Sequence, residues 1–146
     1  MSPGKVLFVL ADGARARLVE QTGGRGGFTT IEEIDGRPRL QDLRRELRAS
    51  PPARSFESFT PMRHSVGRED SFRKAKEDFV SEVAERAGEV LRQRKLDEVF
   101  VAAPSRLLGL LRQKLGSQAR LVGSLDRDLT KSPDAALSEW LGVQRH

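Results

Sequence analysis

Three carboxylates and one cluster of cations are the groups in this 146-residue chain whose types and spacing could do chemistry. Asp12 ends the apolar run Val6 to Ala11, and Asp126 and Asp128 follow a second run, Ala119 to Leu125. Acids at strand ends can gather two divalent ions about 3.5–4 Å apart and activate a water for hydrolysis. Yet Asp12 precedes Gly13, and an aspartate that opens a turn is an ordinary use of that side chain. The best helical stretch also offers no matching carboxylate on its apolar face. Asp12 with Asp126 or Asp128 therefore defines a hydrolase alternative, with no catalytic residue assigned outright.

The cations point elsewhere. Between Gly36 and Lys76 stand eleven Arg or Lys and five acids, whereas the rest of the chain carries fifteen basic and sixteen acidic residues. The formal charge of +5 thus belongs to one region, which suits phosphates better than a charge spread evenly would. Arg54, Arg63, Arg68, Arg73 and Lys74 are the phosphate-binding candidates. The plainer alternative is a solvated Arg-rich face.

Other chemistries find less support. His64 and His146 are too few and too far apart for a metal site, and no nucleophile is paired with a base, so neither metal nor cofactor is expected. Ser55, Ser58, Ser65 and Ser71 read as loop and cap residues. Gly23, Gly24, Gly26 and Gly27 lack the lysine and hydroxyl that complete a P-loop, so they read as a hairpin tip. One Trp and no Tyr argue against base stacking as the main mode of recognition, leaving Phe56 and Phe59 as the aromatic candidates near the cations. With no cysteine, no apolar run near 20 residues and no small-residue cleavage site after the first apolar run, the expectation is a soluble, cytoplasmic protein without a membrane partner.

The elements that would position these residues follow from periodicity. Lys5 to Ala11 reads as strand one, and Asp12-Gly13 as a tight turn. Ala14, Ala16 and Leu18 alternate with Arg15, Arg17 and Val19, as in a half-buried second strand, and Phe28 to Ile34 gives a third. A short helix over Gln41 to Arg48 precedes a long stretch, 49–70, with Pro51, Pro52 and Pro61 and little periodicity, expected to be a basic loop. Phe72, Phe79, Val83, Ala87, Val90 and Leu91 then share one helical face, with Asp70 or Ser71 as cap. Val99 to Ala103 is a buried strand stopped by Pro104, and Leu107, Leu108, Leu111 and Leu115 mark a helix that Ser105 could cap. After the last strand, Ser132-Pro133-Asp134 reads as a helix start, with Ala136, Leu137, Trp140 and Leu141 as its buried face. The order predicts a single α/β domain over 1–146, ribonuclease H-like, with a five-stranded mixed sheet: an antiparallel meander of three strands plus two parallel strands, flanked by helices.

The residues also carry a resemblance. The opening VLFVLADGARARLVE, the segment Arg45-Glu46-Leu47, the helix containing Phe79, the stretch LDEVFVAAPSRLLGLLRQKL and the closing SLDRDLTKSP resemble the bacterial host-attachment protein family, over nearly the whole chain. Ala11-Asp12-Gly13, Ala102-Ala103-Pro104 with Leu108-Gly109, and Asp128-Leu129-Thr130 are its most specific marks. The resemblance implies a fold similar to the middle domain of archaeal and eukaryotic release factors and of Pelota, whose bacterial relatives are linked to ribosomes. In the release factors a Gly-Gly-Gln tip before the long helix assists hydrolysis of peptidyl-tRNA. Here that place holds Ser65-Val66-Gly67-Arg68, so this activity is not implied. The leading expectation is a non-catalytic module that binds ribosome or RNA, in translation or stress, through its basic loop. The alternatives are a metal-dependent nuclease and an adhesion-related protein, as the family name suggests. Sequence leaves the oligomeric state open.

Overall fold

The computed structural model describes residues 6–22, 27–49 and 61–142, without the side chains of 22, 49, 61–66 and 142. The elements are β1 (Val6–Ala11), β2 (Arg15–Thr22), β3 (Gly27–Asp35), α1 (Arg37–Ala49), α2 (Pro61–Arg94), β4 (Glu98–Ala103), α3 (Ser105–Gly116) and β5 (Arg120–Asp126). A 3-10 turn, Asp134–Ala136, and one π-helical turn, Ser138–Gly142, follow. The five strands lie in the order β3-β2-β1-β4-β5, antiparallel between β1, β2 and β3 and parallel from β1 through β4 to β5. This is the mixed sheet the element order predicts.

β1 and β4 read as unbroken apolar runs because both sheet faces are covered. On one face Leu7, Val9, Ala11, Leu18, Val99 and Val101 pack against Phe79, Val83 and Ala87 of α2 and Leu111 and Leu115 of α3. On the other, Phe8, Leu10, Val19, Phe28 and Phe100 are roofed by Leu129, Leu137 and Leu141. Phe8 meets Phe28 edge-on at 5.2 Å and Phe100 at 5.6 Å between ring centroids. β2 is therefore not half-buried: Val19 is sealed and Arg17 is only 8% exposed, because the C-terminal segment lies over their face.

The helices depart from their predicted bounds for identifiable reasons. Residues 61–70 are not loop but the start of α2. Pro61 stands at the first helical position, where no N–H is needed, and so does not prevent a helix. Ser71 is accordingly no cap: well inside the helix, its hydroxyl donates to the Gly67 carbonyl at 3.1 Å. The first part of the expected loop, with Arg54, Phe56 and Phe59, lies outside the described residues, as do Gly23, Gly24, Gly26 and His146. Pro104, not Ser105, caps α3, and it does so without a side-chain bond. α2 ends with Lys95 at φ 57°, the Leu96 N–H donating to the Leu91 carbonyl at 2.9 Å and the Lys95 N–H to that of Arg92 at 3.4 Å. That is a Schellman stop with lysine where glycine is usual.

Gly36 turns the chain from β3 into α1. A Cβ there would lie 2.6 Å from the Phe79 ring, so the turn can seat against α2 only without a side chain. Asp35 caps the helix, accepting from the Arg37 N–H at 3.0 Å. The Arg37 side chain, also donating to it, and that N–H hold the Asp35 carboxyl down at about 2.

Candidate functional site

Two regions gather the residues that sequence singles out. The first is the end of the sheet beyond β1. Asp12 does open the turn: its Oδ1 accepts from the N–H groups of Ala14 and Arg15, both at 2.7 Å. Its Oδ2 accepts from the Thr130 hydroxyl at 3.2 Å, and that hydroxyl also reaches Asp128 Oδ1 at 2.5 Å. The structure thus unites Asp12 and Asp128 through Thr130. Asp126 closes β5 opposite Ala103 and shares none of these bonds. Among the described residues no three His, Cys, Asp or Glu converge as a metal-holding group. Burial pushes the Asp128 carboxyl up, but the Thr130 hydroxyl and N–H, the Asp12 carboxyl and Lys131 outweigh it, and the balance is downward. A lowered carboxyl bound by local donors ties Asp128-Leu129-Thr130 to the Asp12 turn and thereby holds Leu129 in the second core.

Next to it lies a residue the alternation pattern assigned to a polar strand face. Arg17 donates through Nη1 to the Leu129 carbonyl at 2.9 Å and to that of Ser132, and through Nη2 to Asp134 Oδ1 at 2.5 Å. Thr30 completes the group, its hydroxyl 2.7 Å from Asp134 Oδ1 and its N–H 3.1 Å from Oδ2. Desolvation raises the Asp134 carboxyl, but the Thr30 hydroxyl and N–H together with Arg17 bring it below its ordinary value. Sequence alone places Asp134 at a helix start; its partner lies 117 residues away, a separation no local pattern carries. A cleft of about 340 Å³ opens beside this group, its rim formed by Arg15, Glu33, Asp35 and Arg37. Cations and acids are balanced there.

The second region is built by α1 and the first half of α2. From Phe79 to Leu91, α2 buries Phe79, Val80, Val83, Ala84, Ala87, Val90 and Leu91, and each large side chain sealed from water is worth about 1.5–3 kcal/mol. From Gly67 to Asp78 no residue of α2 is buried. At 1.5 Å per residue, the 18 residues of 61–78 make an arm of about 27 Å. α1 runs antiparallel along it, with Arg39 Nη1 3.0 Å from Glu82, Arg68 Nη2 3.3 Å from the Leu47 carbonyl and Arg44 stacked 5.7 Å over the Phe72 ring. Leu40, Leu43 and Leu47, all half-buried, are the stripe of α1 that faces this arm.

The structure places Arg68, Arg73 and Lys74 on this arm, with Arg63 on the same helix by its backbone and Arg54 outside the described residues. Arg68 is half-buried against α1, so it braces the helix pair. Arg73 reaches Asp70 at 2.6 Å and Lys74 reaches Asp78 at 3.7 Å, in exposed pairs worth about 0–1 kcal/mol that a stronger anion could displace. Arg44 and Arg48 of α1 belong to the same surface, although in the sequence they stand out only as part of the regional charge. The folding of 61–70 into helix, carrying them past α1, is what brings the two sets together.

No described helix is long and apolar enough to cross a membrane. The search of curated proteins finds no match. A family model does match, over residues 7–141, and it spans the two-layer core, the arm and the Asp12–Thr130 clasp alike: the chain belongs to the family described as protein required for attachment to host cells.

Proposed function

We propose that this chain is a non-catalytic binding module that presents the α1–α2 arm to a polyanion, ribosomal RNA being the partner to test first. The observation that carries the reading is the gathering of cations where α1 meets the arm of α2. The arm of α2, 61–78, has five Arg or Lys and four acids, while 79–94 has three of each. α1 adds five arginines and two acids to the arm. Cations gathered on an arm that buries no residue from Gly67 to Asp78 cost the core nothing and reach a phosphate chain together. Arg73 and Lys74, with Arg44, Arg48 and Arg63, are the contacts; Arg68 holds the arm's shape, and Arg54 is placed with them by sequence alone. The same reading is what the sequence resemblance to release-factor middle domains would imply, where the region before the long helix meets RNA.

A second reading rests on the description of the family, attachment to host cells. There the same arm would grip an acidic polymer of a cell surface. Co-sedimentation with ribosomes, titrated with salt, tests the first reading. Association should fall steeply between about 50 and 200 mM salt, as expected when several phosphates are contacted. Absence of any salt-sensitive association with ribosomes or RNA, together with retention on an acidic polysaccharide, would move the assignment to the second.

A further inference from the structure

We propose that the outer edge of β5 pairs antiparallel with β5 of a second copy of this chain, joining two sheets across a two-fold axis. The two edges of the sheet are built differently. β3 is closed at Thr30, whose N–H donates to Asp134, and continues into Glu32, Glu33 and Asp35, acids that would face like acids in a second copy. β5 pairs with β4 on one side, and no described strand pairs with it on the other. Its inner residues, Leu121, Val122, Gly123, Ser124 and Leu125, carry no charge, although charge is the usual guard of an edge. A bulge is another guard, and the register with β4 does skip Val122, from Val99 opposite Leu121 to Phe100 opposite Gly123. The bulged residue, however, turns an apolar side chain to solvent: Val122 is 41% exposed, and no other large hydrophobic among the described residues is as open.

The ends of the strand say which partner fits. Arg120 opens β5 and Asp126 closes it, both exposed. Antiparallel pairing of two identical strands brings the arginine end of each beside the aspartate end of the other, with the apolar stretch in between. The edge is thus complementary to itself in charge and in polarity, as an isologous interface must be. An unrelated extended peptide would find no such match at both ends. One seven-residue strand buries less than a standard interface, so the dimer is weak.

Sedimentation velocity on the full chain, from about 10 μM to 1 mM, measures it, and a dimer populated within that range is expected. Val122→Lys places a charge on the open edge and should weaken association by about tenfold or more, with an unchanged melting temperature. Arg120→Asp and Asp126→Arg should each weaken it by about twofold to tenfold, and the double exchange should restore it. Arg120 also lies 3.8 Å from Glu98 in its own chain, so recovery in the double variant, not the single losses, identifies a pair between copies. A chain that stays monomeric at about 1 mM overturns the proposal. So does a dimer indifferent to Val122→Lys, or a double exchange that fails to restore association.

Discussion

From Phe79 to Leu91 α2 lies on the sheet and buries seven side chains, whereas from Gly67 to Asp78 it buries none and is braced by α1. The docked half carries an acidic outer face, where Glu32, Glu33 and Asp35 of β3 line a groove with Glu82, Glu85 and Glu89, crossed by the ion pairs Arg86 makes with Glu32 and Glu89. The arm half is cationic together with α1, the two carrying ten Arg or Lys against six acids. One helix thus serves two purposes: apolar spacing decides where it is held, and charge decides what the rest can meet. Stability and binding should therefore separate along it.

The largest effect is expected in the docked half. Val83 is fully buried under the sheet, and Val83→Asp should cost about 4 kcal/mol or more, an unpaired carboxylate replacing packed methyls, as chemical denaturation would show. The comparison breaks if that variant melts like the parent. Next comes the Arg17 group. Arg17→Met takes the charged donor from Asp134, which keeps only Thr30, and from the Leu129 and Ser132 carbonyls, and a loss of about 3 kcal/mol is expected, with the C-terminal segment the first to exchange its amides.

The same group gives a pH dependence. Asp134 and Asp128 have carboxyls held below the ordinary value of 3.8, so the folded state binds fewer protons than the unfolded one as that range is entered. Their contribution is complete above the unfolded-state pKa and is lost as pH falls through the lower folded-state values. Melting temperature should be level from about pH 7 to pH 5 and drop below about pH 4, and Asp134→Asn should make the drop shallower. A smaller gain is expected at the helix stop. Lys95→Gly relieves a left-handed residue and should add about 1 kcal/mol to stability.

Much of the scaffold is legible in the residues themselves. The runs of β1 and β4 and the spacing of Phe79, Val83, Ala87 and Leu91 declare their elements through burial, while the alternation of β2 marks a strand without showing that its second face is covered too. The arm is less legible for the same reason. Residues 67–70 have no buried member, so the helix over 61–70 follows from continuity with the docked half and from α1, and Pro61 reads like a break although its position tolerates it. At the sheet end the Asp12–Gly13 turn is local and visible, but the bond from Asp12 to Thr130 spans 118 residues and the Arg17–Asp134 pair 117. A one-dimensional pattern holds no record of such pairs. Acids that resemble half of a catalytic set are therefore joined here to donors from the far end of the chain.

The measurement that bears most directly on the division of α2 is the salt dependence of RNA or ribosome binding in two variants of equal charge loss. One removes Arg73 and Lys74 from the arm; the other removes Arg92 and Arg94 from the docked end. Both should melt within about 0.5 kcal/mol of the parent, since exposed pairs contribute little. The arm variant should bind more weakly, and the slope of log K against log salt should fall by about 1–2, while the docked-end variant keeps the parent's slope. Equal losses in the two variants, or binding that salt does not alter, would contradict the account.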